Sequence, residues 1–319
     1  MPVELARKHM RSKPWGVADL GPWSRNADAD ALIGEIWFER SSVGTQSLLL
    51  KLLFASKPLS IQVHPDDTYA RSIGQPNGKT EAWYVLNADP GAKVALGLHE
   101  KISRRQLRQS IDDGSISLRI VWQPVSAGDT MLVPAGTIHA IGAGLVIAEI
   151  QQRSDTTFRL FDHGRNRELN IVDGVAAANS GPAAPQLATD RLTDERTILA
   201  SCPYFVFERI MLEPDTVWRL KSERETWLLV IGGGGVAATF DIATGDAIFA
   251  EADNVEIHTG EIGMVALVAY VGPNSIESLL TRSETVTVQL SGAMLREFPS
   301  PNNFLGSGGT PIGSIGNLK

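Results

Sequence analysis

From residue 46 onward the sequence is broken into short apolar or alternating segments: SLLLKLLFA, LSIQVH, EAWYVLN, AKVALGL, TMLVPA and GLVIAEI. Turn signals such as NADPGA, SAGD and GAG separate them. Many short strands with no helix-period segment between each pair restrict the chain to a sandwich or a barrel. One stretch breaks the pattern. In ISRRQLRQSID (102–112), Ser103 and Gln106 fit a capping box and Leu107 and Ile111 share a helical face, which predicts a small helix between strands. Its Arg104, Arg105 and Arg108 read as a solvated face.

The chain has 319 residues, and a prior of about 150 residues per domain suggests two units. Residues 175–190, VAAANSGPAAPQLATD, are rich in Ala, Pro and Ser and read as a linker. Strand patterns resume after it in YFVFERIML, ETWLLVIGG, VAATF, AIFAE, GMVALVAYV and ETVTVQL. Before residue 45, KPWG and GPWS read as turns and GEIWFE as a strand; GPNSIESLL has room for a helical turn, and the Gly/Ser/Pro-rich tail from 298 reads as irregular. A net charge of −7 argues against nucleic acid or an anionic membrane as the main partner. A single cysteine, Cys202, excludes an internal disulfide. No segment has the pattern of a signal peptide or reaches the roughly 20 apolar residues of a membrane span, so a cytoplasmic protein is expected.

Four chemically useful groups fall in the first unit: Gln62, His64, Glu81 and His139. Gln62 and His64 are two apart on one strand and face the same way. Glu81 begins EAWYVLN. His139 follows an apolar strand and a Pro134-x-Gly136 turn that can direct it back. Two imidazoles and a carboxylate suit zinc and other divalent first-row metals. Taken singly, each has an ordinary reading: His64 or His139 as a hydrogen-bonded strand-end residue, Glu81 as an ion-pair partner of Lys79, Gln62 as a backbone ligand.

The joint pattern weighs more than its members. Gly128 to His139 runs Gly-x5-Pro-x-Gly-x2-His, which resembles the second motif of the cupin superfamily. SIQVHPDD, GKTEAWYVL, VPAGTIHAIG and EIQQRSDTTFRLFDHGR, in that order, resemble the type I mannose-6-phosphate isomerases in their short bacterial form, over roughly residues 10–175. The resemblance implies a mainly β chain of two cupin-like barrels, or jelly rolls, with a small helical insertion. Residues 1–180 would form the metal-binding catalytic domain. Residues 181–319 would form a second cupin-like domain without the ligands, since His258 stands alone there. GGGG at 232–235 is not a phosphate loop, because no Lys-Ser/Thr or helix start follows.

Carried across residue by residue, the family's zinc ligands fall on Gln62, His64, Glu81 and His139, its active-site arginine on Arg159 and an acidic active-site residue on Glu149. Lys79, two before Glu81, is placed to share that pocket, and Ser60 and Lys57 are candidates for phosphate contact. Arg153, Arg165 and Arg167 add positive charge nearby. Asp66 and Asp67 follow Pro65 and read as a turn; His99 and His163 lie at strand ends. The implied reaction interconverts mannose 6-phosphate and fructose 6-phosphate, with a small sugar phosphate as partner. Its competitors are isomerisation or epimerisation of another phosphorylated sugar, and a non-catalytic sugar-binding cupin. A metal-dependent oxygenase fits poorly, since the donor set lacks the facial triad of two His and one carboxylate with open positions.

Overall fold

The computed structural model describes residues 3–24, 31–42 and 44–283. The strand expected over ETVTVQL and the tail from 298 lie outside them. The chain is mainly β. Its first strands are β1 (Val3–Leu5), β2 (Arg7–Val17), β3 (Ile33–Glu39), β4 (Leu48–Ala55), β5 (Ile61–Val63), β6 (Glu81–Ala88), β7 (Lys93–Leu98) and β8 (Ile120–Pro124). After them come β9 (Thr130–Val133), β10 (His139–Ile141), β11 (Leu145–Gln152) and β12 (Phe158–Phe161). Four helices interrupt this half: α1 (Asp67–Ser72), α2 (Arg104–Asp112), α3 (Ile116–Arg119) and α4 (Ile171–Ala177). The second half supplies β13 (Asp190–Arg191), β14 (Arg196–Ser201), β15 (Phe205–Leu212), β16 (Val217–Ser222), β17 (Thr226–Ala237), β18 (Phe240–Ala243), β19 (Ala247–Ala250), β20 (Asp253–Val271) and β21 (Leu280–Arg282).

These strands form three antiparallel sheets stacked in layers. The order β2-β3-β4-β11-β6-β9 makes a six-stranded sheet and β12-β5-β10-β7-β8 a five-stranded one. A ten-stranded sheet holds β13–β21 and also β1, whose Val3–Leu5 pairs with Ile248–Ala250 of β19. The six-stranded sheet is the middle layer. One of its faces, with Leu50, Leu52, Phe54, Tyr84 and Ile150, packs on Phe205, Phe207, Trp227 and Phe249 of the second half. Its other face, with Leu53, Trp83, Val85 and Ile147, meets Val94, Leu96 and Ile141 of the five-stranded sheet. The helices cover the outside of the five-stranded sheet, with Leu107, Ile111 and Ile116 against Val63, Ala140 and Leu160.

This layering explains SLLLKLLFA. A strand buried on both faces needs no polar alternation, and all eight residues of β4 are buried. Trp83 and Tyr84, neighbours on β6, are both buried, each in a different core. The capping box of α2 forms, with Ser103 N–H donating to Gln106 Oε1 at 2.9 Å, and Arg104, Arg105 and Arg108 are exposed.

Several local expectations differ from the structure. KPWG does not turn the chain; it is a bulge within the long β2. The stretch read as a linker begins inside α4. Asp66 and Asp67 do not form a simple turn. Asp66 caps α1, accepting from the Tyr69 N–H at 2.7 Å, a local pattern that Pro65 just before it conceals in the sequence. No helix among the described residues is long and apolar enough to cross a membrane.

Candidate metal centre and adjoining cavity

The site lies between the two sheets of the first half. From the five-stranded sheet come Gln62 on β5, His64 just after it, His139 at the start of β10 and Arg159 on β12. Strand register sets three of them side by side, Gln62 opposite both His139 and Arg159. From the middle sheet come Glu81 on β6, Glu149 on β11, Lys51 on β4 and Glu35 on β3. Glu149 pairs with Lys51, and Glu81 with Gln151.

Two close approaches aim the strand ends. Gly136 has φ +85°, its N–H donates to His64 O at 2.8 Å, and a Cβ there would stand 2.8 Å from Asn179 Nδ2. Only glycine adopts that conformation readily, and the turn it makes delivers His139 next to His64. Gly78 precedes Lys79, and a Cβ on it would come within 2.6 Å of the Asp66–Asp67 backbone. Asp67 Oδ1 accepts from Gly78 N–H at 2.8 Å and from Gln152 Nε2 at 3.0 Å, so α1 anchors the entry to β6.

His64, Glu81 and His139 are at most 1% exposed, and their donor atoms all lie within 4.8 Å of one another. Each imidazole uses Nδ1–H on a backbone carbonyl, His64 on Thr156 O at 3.0 Å and His139 on Thr137 O at 2.9 Å. That fixes the tautomer and leaves both Nε2 lone pairs facing inward, as metal-binding histidines require. Glu81 stands between them, with Oε2 3.4 Å from His64 Nε2 and Oε1 3.4 Å from His139 Nε2. Donors bound to one divalent first-row ion are separated by about 3 Å, and these separations are of that order.

Electrostatics agree. Burial and the Lys79 ammonium push the His64 imidazolium down to about 3, and burial lowers that of His139, so both rings are neutral. Burial alone would raise the Glu81 carboxyl, but the Lys79 ammonium, with His64, holds it well below its ordinary value. Lys79 Nζ lies 2.9 Å from His64 Nε2 and 2.7 Å from Glu81 Oε2, so the donor set already holds a cation against two of its members. No hydrogen bond of acceptable angle reaches Glu81 Oε2, although it is buried. Gln62 turns its Nε2 to His139 Nε2 at 3.2 Å, while its Oε1 accepts from Ser60 Oγ at 3.1 Å; rotation of the amide would bring the oxygen to the centre. Neutral imidazoles, a charged carboxylate and an amide fit a divalent ion.

Beside this group is a cavity of about 240 Å³. Lys51, Lys79, Glu149 and Gln62 line its inner part; Lys13, Asp155, Arg159 and Arg167 line it farther along β2, the 153–157 turn and β12. Glu149 is 3% exposed, its Oε1 has no hydrogen bond, and Lys51 Nζ and Lys79 Nζ stand 3.3 and 4.0 Å from that oxygen. Burial and the Glu81 charge push its carboxyl up, against the pull of the two lysines. Ser60 lines the cavity but spends its hydroxyl on Gln62. Lys57 is exposed and does not line it. His99 and His163 are exposed, and neither lines it.

Lys13, Glu35 and Lys51 escaped the sequence reading. For Glu35 and Lys51 the signal was present, a charge inside an apolar strand as in GEIWFE and SLLLKLLFA; Lys13, among the charges of RKHMRSK, carried none. Arg167 reaches the cavity because Asp162 accepts from both Arg165 and Arg167, and the Arg167 guanidinium lies 4.8 Å above the Trp15 ring.

No protein-family model matches the chain. It is 43% identical over 176 residues to the mannose-6-phosphate isomerase of Streptococcus mutans, which covers 53% of this chain and 55% of that protein. It is 37% identical over 172 residues to the mannose-6-phosphate isomerase ManA of Bacillus subtilis, covering 50% and 53% respectively. The chain thus spans about half the length of the curated relatives it matches. In fold it is similar to the crystal structure of mannose 6-phosphate isomerase from Bacillus subtilis, with TM-score 0.75 at 22% identity over 85% of this chain and 100% of that one. A variant of phosphomannose isomerase from Salmonella typhimurium gives TM-score 0.67 at 14% identity, over 85% and 100%. The resemblance read from the motifs is therefore met in sequence over half of the chain and in fold over most of it.

Proposed function

We propose that this chain is an aldose–ketose isomerase that interconverts mannose 6-phosphate and fructose 6-phosphate in the cytoplasm. In this reading residues 1–180 are the catalytic domain and residues 181–319 a second domain that has no metal. Gln62, His64, Glu81 and His139 would hold one divalent ion, zinc by the chemistry of the donors. The observation that carries the reading is the buried donor group beside a cavity lined by Gln62, lysines, arginines and the Glu149 carboxylate. A bound zinc would supply Lewis acidity toward sugar oxygens and ease the negative charge that develops there.

The protein groups divide the remaining work. Glu149 would move the carbon-bound proton, taking it from C2 of the open-chain aldose and returning it to C1, while the O2 hydroxyl proton passes to O1 of the enediolate, with the reverse path for the ketose. Lys51 and Lys79 flank its carboxylate and are fixed positive charges beside the enediolate oxygens. Lys79 touches Glu81 and His64, so it also sets the charge balance of the donor group. Arg159 has an Nε without a partner and donates Nη1 to Glu168 O at 2.7 Å; with Arg167 and Lys13 it forms the positive end that suits a phosphate. Ser60 orients Gln62 rather than the phosphate, and nothing in its position gives Lys57 a part.

Incubating the purified chain with mannose 6-phosphate and with a panel of other aldose and ketose phosphates, and following ketose formation by a coupled assay, tests the reading. Mannose 6-phosphate is expected to be the preferred aldose. Turnover confined to another sugar phosphate, or sugar binding without turnover, would overturn it.

A further inference from the structure

Gln151 has no part in the reading above, yet it touches both halves of the site. It is fully buried on β11, on the same face as Glu149. Its Oε1 accepts from Lys51 Nζ at 2.6 Å. Its Nε2 donates to Gln152 O at 3.0 Å and to Ser154 O. Both amide hydrogens are therefore committed to backbone carbonyls, and the oxygen has only one direction left to face. Those carbonyls belong to the turn that leads to Asp155 and Thr157 at the cavity wall and to Thr156, whose carbonyl orients His64. Lys51 makes this one hydrogen bond, lies over the Trp37 ring at 4.6 Å, and keeps donors free for the cavity. An apolar side chain of equal length at position 151 would fill the same space without the cost of burying an amide. The polar group at this point has an orienting use.

We propose that Gln151 is a positioning residue: its amide oxygen fixes the Lys51 ammonium beside Glu149, and its amide hydrogens fix the turn whose Thr156 carbonyl holds the His64 ring. The geometry is independent of the reaction; the effect on turnover rests on the isomerase reading. The two inferences separate experimentally.

The test is a double-mutant cycle of Gln151→Met and Lys51→Met, read by kcat and KM for mannose 6-phosphate and by the ¹⁵N resonance of the Lys51 ammonium. Gln151→Met is expected to lower kcat by at least about tenfold with KM changed less than about threefold. In the Lys51→Met background the same change should lower kcat less than it does in the wild type, the remaining loss being the share carried by the turn and His64. The Lys51 ammonium resonance should be slow in hydrogen exchange in the wild type and lost to exchange in Gln151→Met. Equal losses in both backgrounds, or an unchanged resonance, would overturn the proposal. A wild type that does not turn over mannose 6-phosphate, but whose resonance still depends on Gln151, would sink the isomerase reading and leave the brace standing. Should Gln151→Met fail to fold, Gln151→Glu keeps the acceptor and loses both amide donors. It should retain the Lys51 resonance and weaken zinc binding by about tenfold, as loss of a group behind a ligand does. Loss of the resonance, or unchanged zinc binding, would count against the proposal.

Discussion

A charged side chain inside a strand buried on both faces destabilises the fold unless it is paired, so Lys51 and Glu35 ask for a reason. Their reason is the cavity, where Glu35 meets Lys13 at 3.2 Å and Lys51 meets Gln151 and Glu149. Of the four candidate ligands the structure groups His64, Glu81 and His139, which the turn and strand around each made legible by restricting where it can point. Lys57 was not decidable in that way: one residue separates an inward from an outward side chain at a strand end, and sequence does not fix the register there. At this scale the reading makes two predictions. Glu149→Gln keeps the shape, so metal content should be unchanged while kcat falls by about 10²–10⁴, the range for a removed general base; metal analysis and steady-state kinetics check both. Asp162 tests acid behaviour. Burial alone would raise its carboxyl, but hydrogen bonds from Arg167 and Arg165 hold it below its ordinary value. A depressed carboxylate contributes stability in full above about pH 4, and that contribution disappears as the pH falls through its folded value. Asp162→Asn should therefore lose stability at neutral pH and show a shallower fall in acid, measured by denaturant unfolding across pH.

Elements place the site more than single residues do. The Pro134–Gly136 turn and the α1–Gly78 contact fix where His139 and Glu81 begin their strands. The first was readable from its Pro and Gly. The second was not, because Asp67 acts on Gly78 eleven residues away and only the folded chain brings them together. Gly136→Ala would put a Cβ at a positive φ and against Asn179. It should cost about 1–3 kcal/mol and displace His139, lowering zinc affinity as well as the unfolding midpoint. Unchanged affinity in a calorimetric titration would show that this turn does not aim the ligand.

At the scale of the molecule, Glu-x-Trp occurs three times, at Glu35, Glu81 and Glu225, each glutamate accepting from the tryptophan two residues on, and the last two have different uses. Glu81 accepts from Trp83 Nε1 at 3.1 Å through Oε1, which also faces His139, and turns Oε2 to His64. Glu225 likewise accepts from Trp227 Nε1 at 3.1 Å, but also takes the N–H groups of Ser47 and Leu48 at 2.6 and 2.9 Å, tying the second half to the head of β4. Sequence showed the echo of strand patterns but not this tie, which depends on how the two halves pack. Glu225→Ala would strand those buried donors, costing about 2–4 kcal/mol and lowering the unfolding midpoint by roughly 4–10 °C, with metal content unchanged. Glu81→Ala should do the converse, emptying the metal site and abolishing turnover. The most direct measurement of the central claim is X-ray absorption at the zinc edge on zinc-loaded protein, wild type beside Glu81→Ala. The account predicts about one zinc per chain in the wild type, with imidazole and oxygen ligands at about 2.0–2.2 Å and no sulfur, and loss of that signal in the variant. A zinc that survives Glu81→Ala with its ligands unchanged would contradict it.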